Sequence, residues 1–186
     1  MEQNTSNNTL LVLDMQAAIL AMVPGNDALI NRTAKAIAHA RKNSIPVIYI
    51  TVGFRKGSPE INPNNKSFAS IKERFANIEM TDFIKIHPDL MPLDGELVVI
   101  KKRVSAFTGS DLEVILKALN IHHLVISGVA TSGAVLSTVR ESADKDYRIT
   151  VLSDCCGDGD EEVHRVLTTK VFPRQAEVIT VKEWTE

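Results

Sequence analysis

Thr9-Leu10-Leu11-Val12-Leu13-Asp14 decides the fold. Four apolar residues in unbroken succession are too few for a helix and lack the alternation of a strand wetted on one face. They read as a strand buried on both sides, as in parallel sheets. Working outward, comparable runs rich in Val, Ile and Leu recur at 46–52, 97–100, 122–127, 148–152 and 176–181, with Leu124-Val125-Ile126 the plainest. Six strands follow, each expected to be covered on both faces.

Segments of helical period separate these runs. Residues 27–43 place Leu29, Ile37 and Ala40 on one face, ahead of the helix-breaking Ile45-Pro46. Ser110-Asp111-Leu112-Glu113 fits a capping box, predicting a helix over 110–119 with Ile115, Leu116 and Leu119 inward. Residues 132–145 carry Val135, Leu136, Val139 and Ala143 at helical spacing, and Asp160-Glu161-Glu162 supplies the negative charge that favours a helix start over 160–171. Sustained strand–helix alternation predicts an α/β fold: a three-layer, doubly wound, mainly parallel six-stranded sheet of Rossmann-like type, forming one domain over residues 1–186. Residues 53–95 interrupt it with Pro59, Pro63, Pro88 and Pro92 and one amphipathic piece, Ser67 to Ile78, with Phe68, Ile71 and Phe75 inward. Long excursions of this kind commonly form lids or binding loops.

Lys and Arg number 21 against 23 Asp and Glu, with no long run of either sign. That excludes the electrostatic footprint of a nucleic-acid or anionic-membrane binder and favours a small-molecule partner. No stretch approaches the roughly 18–20 apolar residues of a membrane span, and the polar opening Met1 to Asn8 lacks the regions of a signal peptide. A cytoplasmic protein is expected. Cys155 and Cys156, adjacent in sequence, give no disulfide framework and read as small packing residues after the fifth strand.

In open α/β sheets ligands bind beyond the carboxyl ends of the strands, near the point where strand order reverses. That rule selects Asp14 after the first strand, Lys101 after the third, and the turn Gly128-Val129-Ala130-Thr131-Ser132 after the fourth. A carboxylate and an ammonium in a partly buried cleft can hold and move a proton, and free amides at 130–134 can hold an oxyanion or a substrate carboxylate. An Asp after a strand is also an ordinary cap residue, and a Lys at a strand end is commonly a solvated one.

Three blocks then carry a resemblance: Leu13-Asp14-Met15-Gln16, the run Lys101 to Phe107 with Gly109 and Leu112 behind it, and Gly128-Val129-Ala130-Thr131. Together they resemble the isochorismatase-like, or cysteine hydrolase, superfamily across nearly the whole chain. In amidase members an Asp, a Lys and a Cys cooperate, the Cys forming a covalent intermediate. The resemblance assigns Asp14 and Lys101 to the first two and places the cysteine position at Ala134. Members often read Gly-Val-Ala-Thr-Asn-x-Cys-Val where this chain reads Gly128-Val129-Ala130-Thr131-Ser132-Gly133-Ala134-Val135. A methyl group cannot attack a carbonyl. Neither Ser132 nor Ser137 shares the offset of residue 134 from the helix start.

The resemblance further implies a non-proline cis peptide between Val129 and Ala130, aiming the turn amides at an oxyanion, with Val129, Ala130, Thr131, Ser132 and Gly133 binding substrate. Phe54, Arg55, Phe68 and Phe107 would wall the pocket, Arg55 either pairing with a substrate carboxylate or standing as an exposed loop arginine. Members with zinc carry an Asp-x-His pair after the second strand, where this chain reads Thr51-Val52-Gly53-Phe54-Arg55 without a histidine, so neither metal nor cofactor is expected, and His39, His87, His122, His123 and His164 read as surface or packing residues. Three functions fit. The first is a hydrolase of a vinyl ether-like small molecule working without a covalent intermediate. The second is a cysteine amidase with its nucleophile substituted, and the third a homologue that has lost catalysis and serves in binding or assembly. The family commonly forms homo-oligomers.

Overall fold

The computed structural model describes residues 7–186, so most of the polar opening read above lies outside the described residues. Six parallel strands, β1 (Asn8–Leu13), β2 (Val47–Val52), β3 (Leu97–Lys101), β4 (His123–Val129), β5 (Arg148–Gly157) and β6 (Glu177–Ile179), form one sheet in the order β3-β2-β1-β4-β5-β6. The helices are α1 (Ala17–Leu20), α2 (Asn26–Lys42), α3 (Lys66–Arg74), α4 (Met80–Phe83), α5 (Leu112–Ala118), α6 (Leu136–Asp144), α7 (Glu161–Val166) and α8 (Val181–Thr185). None is long and apolar enough to cross a membrane.

Successive strand side chains point to opposite faces, and β1 shows the result. Leu10 and Val12 pack with Leu29, Ile37 and Ala40 of α2, while Leu11 and Leu13 pack with Leu112 and Leu116 of α5 and Val139 of α6. An unbroken apolar run is what a central strand between two helical layers requires. The edge strand β3 departs from that expectation: Leu97, Val98 and Ile100 are 40–46% exposed.

Other boundaries are corrected. Cys155 and Cys156 lie within β5, not after it. The segment at 110–113 is no capping box. Here α5 starts at Leu112 behind Asp111, Ser110 Oγ bonds back to the Ala106 and Phe107 carbonyls, and Glu113 turns to Lys117 and Lys145, both at 2.7 Å. Two lysines outcompete one amide for that carboxylate, and Leu119 is exposed. A true capping box stands instead at Thr180 and Glu183, opening α8. Asp160 does cap α7, accepting from the amides of Glu162 and Val163. That helix ends at Val166 in a wide turn, Leu167–Val171.

Strand order reverses at β1, whose neighbours are β2 and β4, so the crevice opens beyond Leu13 and Gly128. Gly128 is required there. It has φ +131°, and a Cβ on it would lie 2.1 Å from Leu13 O. The β4–β5 register also shifts between Ile126 and Gly128. Gln16, fully buried, ties this end of the sheet to the excursion: its amide nitrogen donates to Val52 O and Phe83 O, and its Oε1 accepts from Val52 N.

Candidate functional site

Asp14 follows β1 with a left-handed backbone (φ +53°), which an Asp tolerates better than most residues, and its amide donates to Ile50 O. Lys101 ends β3 and is only 1% exposed. Its ammonium donates to Asp14 Oδ2 at 2.8 Å and to Val104 O at 2.7 Å. Among the described residues Asp14 Oδ1 is buried with no hydrogen-bond partner. Burial pushes the Asp14 carboxyl above its usual range, with the Lys101 charge and hydrogen bond opposing.

β4 ends in the cis peptide Val129–Ala130, followed by a wide, π-type turn over Thr131–Val135, in which Val135 N reaches Ala130 O at 3.2 Å. The turn brings Ala134 into one cavity of about 450 Å³ with Asp14 and Lys101. Val129, Ala130, Ser132 and Gly133 also line it, as does Ser137, one helical turn beyond Ala134. Ile19, Met22, Phe68, Phe75 and Phe83 form its apolar roof. Phe68 is held there by its amide bond to the Asn65 cap of α3 and by edge-on packing against Phe54, with ring centroids 5.6 Å apart.

Several expected wall residues are elsewhere. Phe54 and Arg55 line a neighbouring cavity of about 470 Å³, and Arg55 pairs with Glu60 at 2.7 Å with its side chain 75% exposed. The segment after Lys101 turns through the opposite helical layer, so Phe107 stacks on Tyr147 (6.0 Å) under the Lys145 ammonium. Thr131 is buried outside the cavity lining, with Oγ1 2.8 Å from His164 Nδ1. His164 is therefore a neighbour of the turn, and burial lowers its pKa.

Nor are all the turn amides free. Ser132 N donates to Asp158 Oδ2 at 2.7 Å and Gly133 N to Ala130 O at 3.0 Å. Asp158 carried no sequence signal, since it lies in a polar loop after β5. Arg103, inside the quoted Lys101–Phe107 block, was not singled out, yet it lines the cavity. Cys155 and Cys156 are buried, free and absent from the cavity lining, and burial raises both thiols, that of Cys156 to about 12. Among the described residues no three His, Cys, Asp or Glu side chains gather as a cation site.

Comparison with known proteins shows the family and the fold. A ureidoacrylate amidohydrolase of Yersinia enterocolitica is 30% identical over 172 residues, covering 81% of this chain and 75% of its own. An Arabidopsis thaliana protein described as a probable inactive nicotinamidase is 23% identical, covering 100% and 98%. A cysteine hydrolase structure from Pseudomonas syringae pv. phaseolicola superposes with a TM-score of 0.86 at 20% identity, covering 96% and 91%, which speaks for the fold. The isochorismatase domain model matches residues 8–183, and the chain belongs to the isochorismatase family.

Proposed function

We propose that this chain hydrolyses a small, vinyl ether-like molecule by noncovalent acid–base chemistry at the Asp14–Lys101 pair. One observation carries the reading: Asp14 presents a buried, unpartnered Oδ1 in a cavity where residue 134 is a methyl group. Burial favours the protonated carboxyl, so Asp14 can carry a proton that the Lys101 ammonium helps it release. Asp14 delivers that proton to the terminal carbon of an enol ether. Water adds to the resulting oxocarbenium carbon and returns a proton to the Asp14 carboxylate, and the hemiketal separates into a carbonyl compound and an alcohol. No cofactor enters this scheme.

A second reading, a cysteine amidase with its nucleophile substituted, is favoured by the place of Ala134 beside the pair and by the amidohydrolase relative. The inactive plant relative is the argument for a third, a homologue without catalysis. The test is a paired screen, pyruvate release from enol ethers and ammonia release from amides, on the wild type, Asp14→Asn and Ala134→Cys. Pyruvate lost in Asp14→Asn supports the acid–base reading, whereas ammonia from the wild type overturns it. A silent wild type with ammonia from Ala134→Cys identifies a substituted amidase, and silence from all three points to binding or assembly.

We also read the chain as a single domain acting in the cytoplasm as a homo-oligomer. The uncovered apolar side chains of β3 support self-association. A monomer in sedimentation at micromolar concentration would contradict it.

A further inference from the structure

We propose that Arg103 determines specificity in the Asp14 cavity by selecting substrates that carry a carboxylate. This rests on the reading of that cavity as the substrate site. Three charged side chains line it: Asp14, Lys101 and Arg103. The Lys101 ammonium is 1% exposed and held by Asp14 Oδ2 at 2.8 Å and Val104 O at 2.7 Å, so it is engaged within the floor. Arg103 is the positive charge of the cavity that no acidic side chain holds among the described residues.

The guanidinium has no carboxylate within ion-pair distance among the described residues. Its contacts orient it without neutralising it. Nη1 donates to Lys102 O at 2.6 Å, Nη2 donates to Glu60 O at 3.0 Å, and the group lies 5.8 Å from the centroid of the Phe68 ring. The Glu60 carboxylate itself is turned to Arg55. Two of five N–H groups are used, which leaves a half-buried, fixed fork with donors to spare on the wall of a largely apolar cavity. A carboxylate is the group to which such a fork donates two parallel bonds.

Arg103 and Lys101 stand two residues apart where the chain leaves β3. Phe68 and Phe75 line the same cavity and can take the apolar body of such a ligand. The sequence could not weigh this, because Arg103 looks like a solvated neighbour of Lys102 until Glu60 is seen to pair elsewhere.

The test measures calorimetric binding of matched acid and amide pairs, benzoate with benzamide and cinnamate with cinnamamide. The proteins are the wild type, Arg103→Gln, Arg103→Lys and Asp14→Asn, each first checked for cooperative melting. In the wild type the acids are expected to bind at least tenfold more tightly than their amides. That preference falls to within twofold in Arg103→Gln and at least threefold in Arg103→Lys, which keeps the charge and loses the fork. If the Gln variant does not fold, the Lys variant decides. The Asp14→Asn protein keeps the preference. The proposal is overturned by a wild type that holds neither acid more tightly than its amide, or by a preference that survives in the deciding variant. Acids bound at Arg103 without any turnover would sink the proposed hydrolysis and leave this inference standing. Turnover abolished by Asp14→Asn without any acid preference would do the reverse.

Discussion

The floor and the roof of the cavity are built by opposite means. Asp14, Lys101 and Ala134 stand on or just beyond the ends of β1, β3 and β4, where main-chain ladders fix the backbone. Phe68, Phe75 and Phe83 come from the excursion between β2 and β3, for which the described residues show one isolated bridge, Gln16 to Ile86. The floor has little freedom to change without unfolding the sheet. The roof is held by side-chain packing and can change shape with each substitution. A floor fixed by topology beneath a roof set by packing is an economical division, and it can be tested from both sides.

The largest expected effect is on the floor. Asp14→Ala leaves the Lys101 ammonium buried and unpaired, and removing one partner of such a pair costs about 3–5 kcal/mol. Chemical denaturation would show it as a fall in midpoint. A loss under about 1 kcal/mol would mean that water reaches Lys101 and that the floor is less rigid than described. Next comes Phe68→Ala, which removes a buried ring from the roof. The cost expected for a buried Phe is about 3 kcal/mol, at the low end of the range because the segment can collapse inward. Ligand affinity should change more than the Asp14 titration, and the reverse pattern would erase the distinction between floor and roof.

The third test uses pH. Burial raises the Asp14 pKa in the folded state, so between the ordinary carboxylate value near about 3.9 and the raised value the folded protein holds more protons than the unfolded. The contribution of Asp14 to stability is then fully present below that window and is lost as pH rises through it. Asp14→Asn should remove this component from a stability–pH curve. A wild-type component of opposite sign would show that Lys101 outweighs burial. The smallest effect is expected for Arg55→Ala: the arginine of its pair with Glu60 is largely exposed, and stability should change by less than about 0.5 kcal/mol. A larger loss would mean that Arg55 braces the roof through Glu60 and, by way of its carbonyl, Arg103.

Legibility in the sequence follows the same line. Central strands announce themselves as unbroken apolar runs because both faces are covered, and the rule that ligands gather at strand ends then picks out Asp14 and Lys101. β5 was cut short because Ser153-Asp154 interrupts its run, although Ser153 Oγ donates to Ile179 O and Asp154 accepts from Val181 N. The resemblance implies Phe107 in the wall and Thr131 in the substrate-binding turn, and neither lines the cavity. Which layer a side chain enters after a strand depends on the path of the loop, which leaves no periodic trace. Arg103 was hidden for another reason: its significance lies in the acid it does not meet, a property of three dimensions only.

The glycine at 128 sets a limit on how this site can diverge. With Leu13 against the place where a Cβ would be, β1 and β4 meet at main-chain distance just below the crevice. The gauge between the carboxylate that follows β1 and the turn that follows β4 is thus a dimension of the backbone, indifferent to what the cavity walls are made of. Descendants of this chain can exchange the wall, and even the residue at 134, and still present the two at an unchanged spacing. Such a site is free to try new ligands without rebuilding its ruler.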